Sequence, residues 1–109
     1  MMDQLIKDVS KLVVEEYQRA AAEHGPAAHS SHEGYALIKE EAEEAQEQMA
    51  IVDQKLTFLW EDVKNDYPSI QPNHLSEIKK AAILGACELI QVAAMADKAL
   101  AGYGNKEEQ

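Results

Sequence analysis

Two short stretches of this chain carry side chains able to gather a cation. In residues 81–96, AAILGACELIQVAAMA, nearly every position is apolar or small, and the exceptions are Glu88 and Gln91. Residues three apart on a helix are neighbours on one face. A helix that is apolar all round is expected to be buried. Burying an unpaired carboxylate costs several kcal/mol even after relaxation. A protonated state, a basic partner or a metal ion must compensate, and no Lys or Arg lies between positions 81 and 96.

The second stretch is KEEAEEAQEQ, residues 39–48. It sits on an apolar seam formed by Ile38, Ala42, Ala45, Met49, Val52, Leu56, Leu59 and Val63, which alternates steps of four and three. With Ala45 at the centre of that seam, Glu41 falls about 40° from it and Glu44 about 100°. Glu40 and Glu43 point to solvent. Glu41 and Glu44 therefore flank the seam, again three apart, where like charges cost a helix a few tenths of a kcal/mol. If the two helices pack side by side, Glu41, Glu44, Glu88 and Gln91 converge. Hard cations such as Mg²⁺ or Mn²⁺ prefer such an all-oxygen set, and i, i+3 pairs on bundle helices are an established way to build it. The competing reading of the glutamates is a solvated acidic face.

Three helices must position these groups. The first is expected over about 3–23, with Leu5, Val9, Leu12, Glu16 or Tyr17, and Ala20 along one mostly apolar stripe. Gly25 suits a C-terminal cap, and Pro26 blocks continuation. Ser30 and Glu33 fit a capping box for a second helix over about 33–66, roughly 50 Å long. A compact chain of this size has a radius of gyration of about 13 Å, so the seam is expected to meet a second chain. Pro68 and Pro72 are expected to stop this helix, with Asn73 or Ser76 capping a third over about 75–100. Gly102 should end it, leaving 102–109 as a frayed tail. The fold class expected is all-α: an antiparallel helical bundle with one long central helix, a single domain over 1–109 completed by dimerisation.

The net charge of −10 over 109 residues disfavours nucleic acid as a partner, and would repel a nucleoside triphosphate unless a divalent cation bridges the two. No stretch reads as a membrane span or a signal peptide. A single cysteine allows no intrachain disulfide, and a cytoplasmic location is expected. Cys87, Phe58 and Trp60 read as core residues, and the HxxH of His29 and His32 as a loop coincidence. Lys98, seven residues past Gln91, lies about 10 Å away on the same face. It is either a phosphate contact or a charge favouring the helix dipole.

At the acidic residues a family resemblance appears. EEAEE, residues 40–44, resembles the EExxE motif of the MazG-like, all-α nucleoside triphosphate pyrophosphohydrolases, and ELIQ, residues 88–91, resembles their later ExxD. HEGYALIKEEAEE and ELIQVAAMA look most like the short, phage-type relatives. The resemblance spans the second and third helices. It implies Mg²⁺-dependent hydrolysis of a nucleoside triphosphate to a monophosphate and pyrophosphate. It further implies metal ligands Glu41, Glu44 and Glu88 with Gln91 in the aspartate's place, and assembly as a dimer or dimer of dimers. Gln91 removes one negative charge from the family's set, and 43 residues separate the motifs, more than is usual there. The alternative expectation is a helical dimer that keeps the scaffold without the chemistry and serves in binding or regulation.

Overall fold

Each helix begins and ends where its local chemistry dictates. In the computed structural model, backbone is described for residues 2–107 and side chains for 2–103. Helix α1 spans Met2–His24, α2 spans Ser31–Lys64 and α3 spans Gln71–Glu107, with no strand among the described residues. The fold is all-α, as the periodicity predicts. No helix among the described residues is long and apolar enough to cross a membrane.

Gly25 closes α1 at φ 91°, its N–H donating to the Ala21 carbonyl at 2.8 Å; a glycine takes this left-handed conformation without a Cβ penalty. Tyr17 Oη donates to the Pro26 carbonyl at 2.6 Å and ties the following loop to α1. Ser30 caps α2 by accepting from the Glu33 N–H at 3.1 Å. At its other end, Tyr67 N–H donates to the Asp62 carbonyl at 2.9 Å and Asp66 N–H to the Val63 carbonyl at 3.2 Å, with Asp66 at φ 56°. This is a Schellman motif with aspartate in the position that glycine usually takes.

Helix α3 differs most from its sequence reading. Pro72 does not stop a helix; it lies in the first turn of α3, where its missing N–H costs nothing. Asn73 and Ser76 are therefore inside the helix rather than caps. Gly102 does not end it either, and α3 continues to Glu107. A Cβ at position 102 would sit 3.0 Å from the Ala28 carbonyl oxygen, so this glycine permits close approach of the 25–30 loop. Glu108 and Gln109 of the expected tail lie outside the described residues.

The chain divides into two compact units. The first comprises Met1–Ala42 and Leu89–Gln109. Its core is Ala20, Ala94 and Met95, with Tyr17, Leu37 and Ile38 packed against them. Here α2 and α3 approach so closely that a Cβ on Gly34 would lie 3.1 Å from the Ala99 Cβ. The apolar stripe predicted on α1 packs only at its C-terminal end; Leu5, Val9 and Leu12 are exposed.

The second unit comprises Glu43–Glu88. Only Ala45 and Ala81 are buried there, and Gly85 faces the Gln48 side chain, 3.3 Å from where a Cβ would stand. Lys55 Nζ pairs with Glu77 at 2.7 Å. His74 Nε2 lies 2.9 Å from Asp62 Oδ2, but off the N–H axis, so the contact is an ion-pair distance without a hydrogen bond. The three contacts advance along α2 while receding along α3, which makes the pairing antiparallel.

The stretch 81–96 is not buried all round, as its composition predicts. Ile83, Leu84 and Leu89 are exposed, as is Cys87, and so are Phe58 and Trp60 on α2. A three-helix chain has too few neighbours to cover every apolar face of a 37-residue helix.

Candidate metal centre

The acidic residues converge as their spacing predicts. Glu41, Glu44 and Glu88 each offer a carboxylate oxygen, and these oxygens all lie within 4.8 Å of one another. Two of the three share one helix face of α2, which runs unbroken from Ser31 to Lys64, so the Glu41–Glu44 spacing is fixed by helical geometry. The third is fixed by pairing. In the second unit Gln48 meets Gly85; one turn back on α2 and one turn on along α3 bring Glu44 level with Glu88. A Cβ on Gly85 would stand 3.3 Å from the Gln48 Cβ, so the glycine eases the close approach of the two helices.

All three carboxylates are half-buried, whereas Glu40 and Glu43 are exposed. That division follows the angles read from the seam. Glu88 is not fully removed from water, so repulsion outweighs desolvation as the cost to be offset. Two unit charges about 5 Å apart repel by roughly 1 kcal/mol in water, and by more as the dielectric falls. A divalent cation removes that cost for all three at once.

The donor set fits Mg²⁺ or Mn²⁺. Octahedral Mg²⁺ with ligands at about 2.1 Å sets its oxygens roughly 3.0 Å apart when adjacent and about 4.2 Å when opposite. The oxygens of the three glutamates, all within 4.8 Å of one another, are on that scale. Gln91 is half-buried. The first unit's own register, anchored where Gly34 meets Ala99, steps seven residues along α2 to Glu41 and eight back along α3 to Gln91, placing the two level.

Lys98 follows Gln91 by seven residues on the same unbroken helix. It is 5% exposed and lines a cavity with Ala20, His24, His29, Glu33, Leu37 and Met95. Because α3 runs to Glu107, Lys98 is not at a helix end, and the dipole reading of it fails. His29 lines that cavity and His32 does not, which separates the HxxH pair. No periodicity signals this cavity; the isolated lysine on an apolar helix face is the one clue the sequence offers. Among the described residues, the glutamate trio is the sole group of three or more His, Cys, Asp or Glu able to hold a metal ion.

No family model matches the chain, and neither a curated protein nor a solved structure is significantly similar to it.

Proposed function

We propose that the chain is a Mg²⁺- or Mn²⁺-dependent nucleotide pyrophosphohydrolase of the MazG-like class, acting as a homodimer or a dimer of dimers. One observation carries the reading: Glu41, Glu44 and Glu88, singled out by type and spacing, bring their oxygens within 4.8 Å of one another. Gln91, level with Glu41, adds an amide oxygen. A cation held there would neutralise phosphate charge and lower the pKa of a water. The protein's part is to hold the acidic groups in place and to present a site that an otherwise repelled polyphosphate can enter. In the reaction, water adds across the α–β phosphoanhydride, one P–O bond breaks, and a monophosphate and pyrophosphate leave.

The dimer is supported by the apolar surface that a single chain leaves uncovered. Met49, Leu56 and Val63 of the predicted seam are each about half exposed or more, and Trp60 beside them is 58% exposed. Apolar clusters of this kind mark interaction surfaces.

The test is direct assay with a panel of nucleoside triphosphates and Mg²⁺ or Mn²⁺, scoring monophosphate and pyrophosphate. Gln91→Asp should raise the rate, since a tenfold gain needs only about 1.4 kcal/mol of added transition-state stabilisation. Metal binding without hydrolysis in either protein would favour the alternative, a scaffold that binds without catalysing. Absence of both in parent and variant would end the reading.

A further inference from the structure

The first unit holds a cavity made of side chains that the metal centre does not use. Ser31, Tyr35 and Ile38 wall it from α2, where their spacing puts them on one face, and Tyr103 walls it from α3. Its floor is already formed. A Cβ on Gly34 would stand 3.1 Å from the Ala99 Cβ, and one on Gly102 would stand 3.0 Å from the Ala28 carbonyl oxygen, so the elements beneath the cavity are in contact. The loop is tied down as well: Ala28 N–H donates to the Lys98 carbonyl at 3.2 Å, and Tyr17 Oη donates to the Pro26 carbonyl. Every lining residue belongs to the first unit.

The lining decides what fits. The volume is about 310 Å³, roughly twice the ~150 Å³ of an apolar cavity that holds one benzene ring, which leaves room for a bicyclic ring. Charged residues make up 28% of the chain, yet no described residue lining the cavity carries a charge. A charged ligand would leave water there without an ionic partner, at a cost that a neutral one avoids. Tyr35 and Tyr103 are 66% and 55% exposed, so their rings wall the open side. Aromatic rings pair by offset stacking or edge to face, and such stacking accepts flat rings of many kinds. Ile38 and Ala99 add apolar surface, while Ser31 Oγ and Tyr103 Oη, 3.4 Å apart, place two hydroxyls together at one end. An apolar pocket with a few convergent polar groups is the usual form of a small-molecule site.

We propose that this cavity binds a small, uncharged, planar aromatic molecule with a polar edge. The ring lies against Tyr35 and Tyr103, and the edge meets the hydroxyls of Ser31 and Tyr103. The site stands whether or not the glutamate trio holds a cation.

The test is a titration of the full-length protein, with EDTA present so that the metal centre plays no part. Indole and adenosine, both flat and uncharged, are compared with cyclohexanol, which is uncharged but not flat, by calorimetry and melting temperature. At least one of the flat probes should bind saturably and raise the melting temperature, and cyclohexanol should not. Indole alone would mark a simple ring with one donor as the ligand, and adenosine alone a purine-like base. Tyr35→Ala should weaken binding about fivefold or more, the loss of one stacking ring, whereas Tyr35→Phe should keep it. Ser31→Phe, which puts a ring into the cavity, should abolish it. Tyr35 and Ser31 are both exposed, so these variants should fold as the parent does. The proposal is overturned if neither flat probe binds, if cyclohexanol binds as well as they do, or if Tyr35→Ala or Ser31→Phe binds as the parent does.

Discussion

The two units of this chain hold their helices together by different means. In the first, small residues let α2 and α3 touch: Gly34 against Ala99, Gly102 against Ala28, and a fully buried Ala94 in the core. In the second, ion pairs such as Lys55–Glu77 mark the contacts, two alanines are all that is buried, and Met49, Leu56, Phe58, Trp60 and Val63 stay exposed. Exposed pairs of this kind contribute little, typically below about 1 kcal/mol, so the second unit lacks a sufficient core of its own. The difference teaches where packing is concentrated: the first unit has a core cluster at Ala20, Ala94 and Met95, yet both leave apolar surface uncovered, along Leu5, Ile6, Val9, Leu12 and Val14 of α1 in the first and along Met49, Leu56, Trp60 and Val63 of α2 in the second.

The largest expected effect follows from that contrast. Light scattering should give at least twice the 12.1 kDa chain mass. Leu56→Asp with Val63→Asp should shift the protein towards monomer, since a central interface anchor contributes upwards of about 2 kcal/mol, some thirtyfold in Kd. A parent that is monomeric at micromolar concentration breaks the comparison at its root.

An intermediate effect is expected in the first unit. Gly34→Leu must push Ala99 aside, because even a methyl there would stand 3.1 Å from the Ala99 Cβ. Overpacking of this kind costs about 1–3 kcal/mol, and the better helix propensity of leucine offsets less than about 1 kcal/mol of it. The urea midpoint should fall with its slope unchanged. A midpoint that stays put would mean that the α2–α3 contact is not close-packed.

The smallest effect belongs to Glu77. Its hydrogen bond to Lys55, and then the charge of Lys55, hold its carboxyl below the ordinary carboxylate value. A depressed acid contributes stability at neutral pH that is lost as pH falls through its folded value. Glu77→Gln should therefore lower stability slightly at pH 7, with the difference vanishing in acid and shrinking in high salt. A difference that grows on acidification would reverse the sign of this argument.

Much of this was legible in the residues. Gly25, Ser30 and the seam on α2 announced the first two helices, and the same seam told which glutamates face inward. What escaped was tertiary. Pro72 and Gly102 read as punctuation because that is their local tendency; only the packing of Ala28 against α3 shows why a glycine is needed at 102. Residues 81–96 read as buried because composition cannot count neighbours, and Ile83, Leu84 and Leu89 find none within the chain. Lys98 stands out in the sequence for its position relative to Gln91, yet its place beside His29 depends on a loop fold that no periodicity encodes.

The three glutamates are expected to bind a divalent cation together. Calorimetric titration of the metal-free protein with Mn²⁺ tests it. The parent should bind saturably, and Glu44→Gln and Glu88→Gln should each weaken binding at least about tenfold, or about 1.4 kcal/mol. Glu40→Gln, an exposed neighbour outside the group, should leave it unchanged. A parent that takes up no Mn²⁺ at millimolar concentration, or Glu44 and Glu88 variants that bind it as the parent does, would contradict the account.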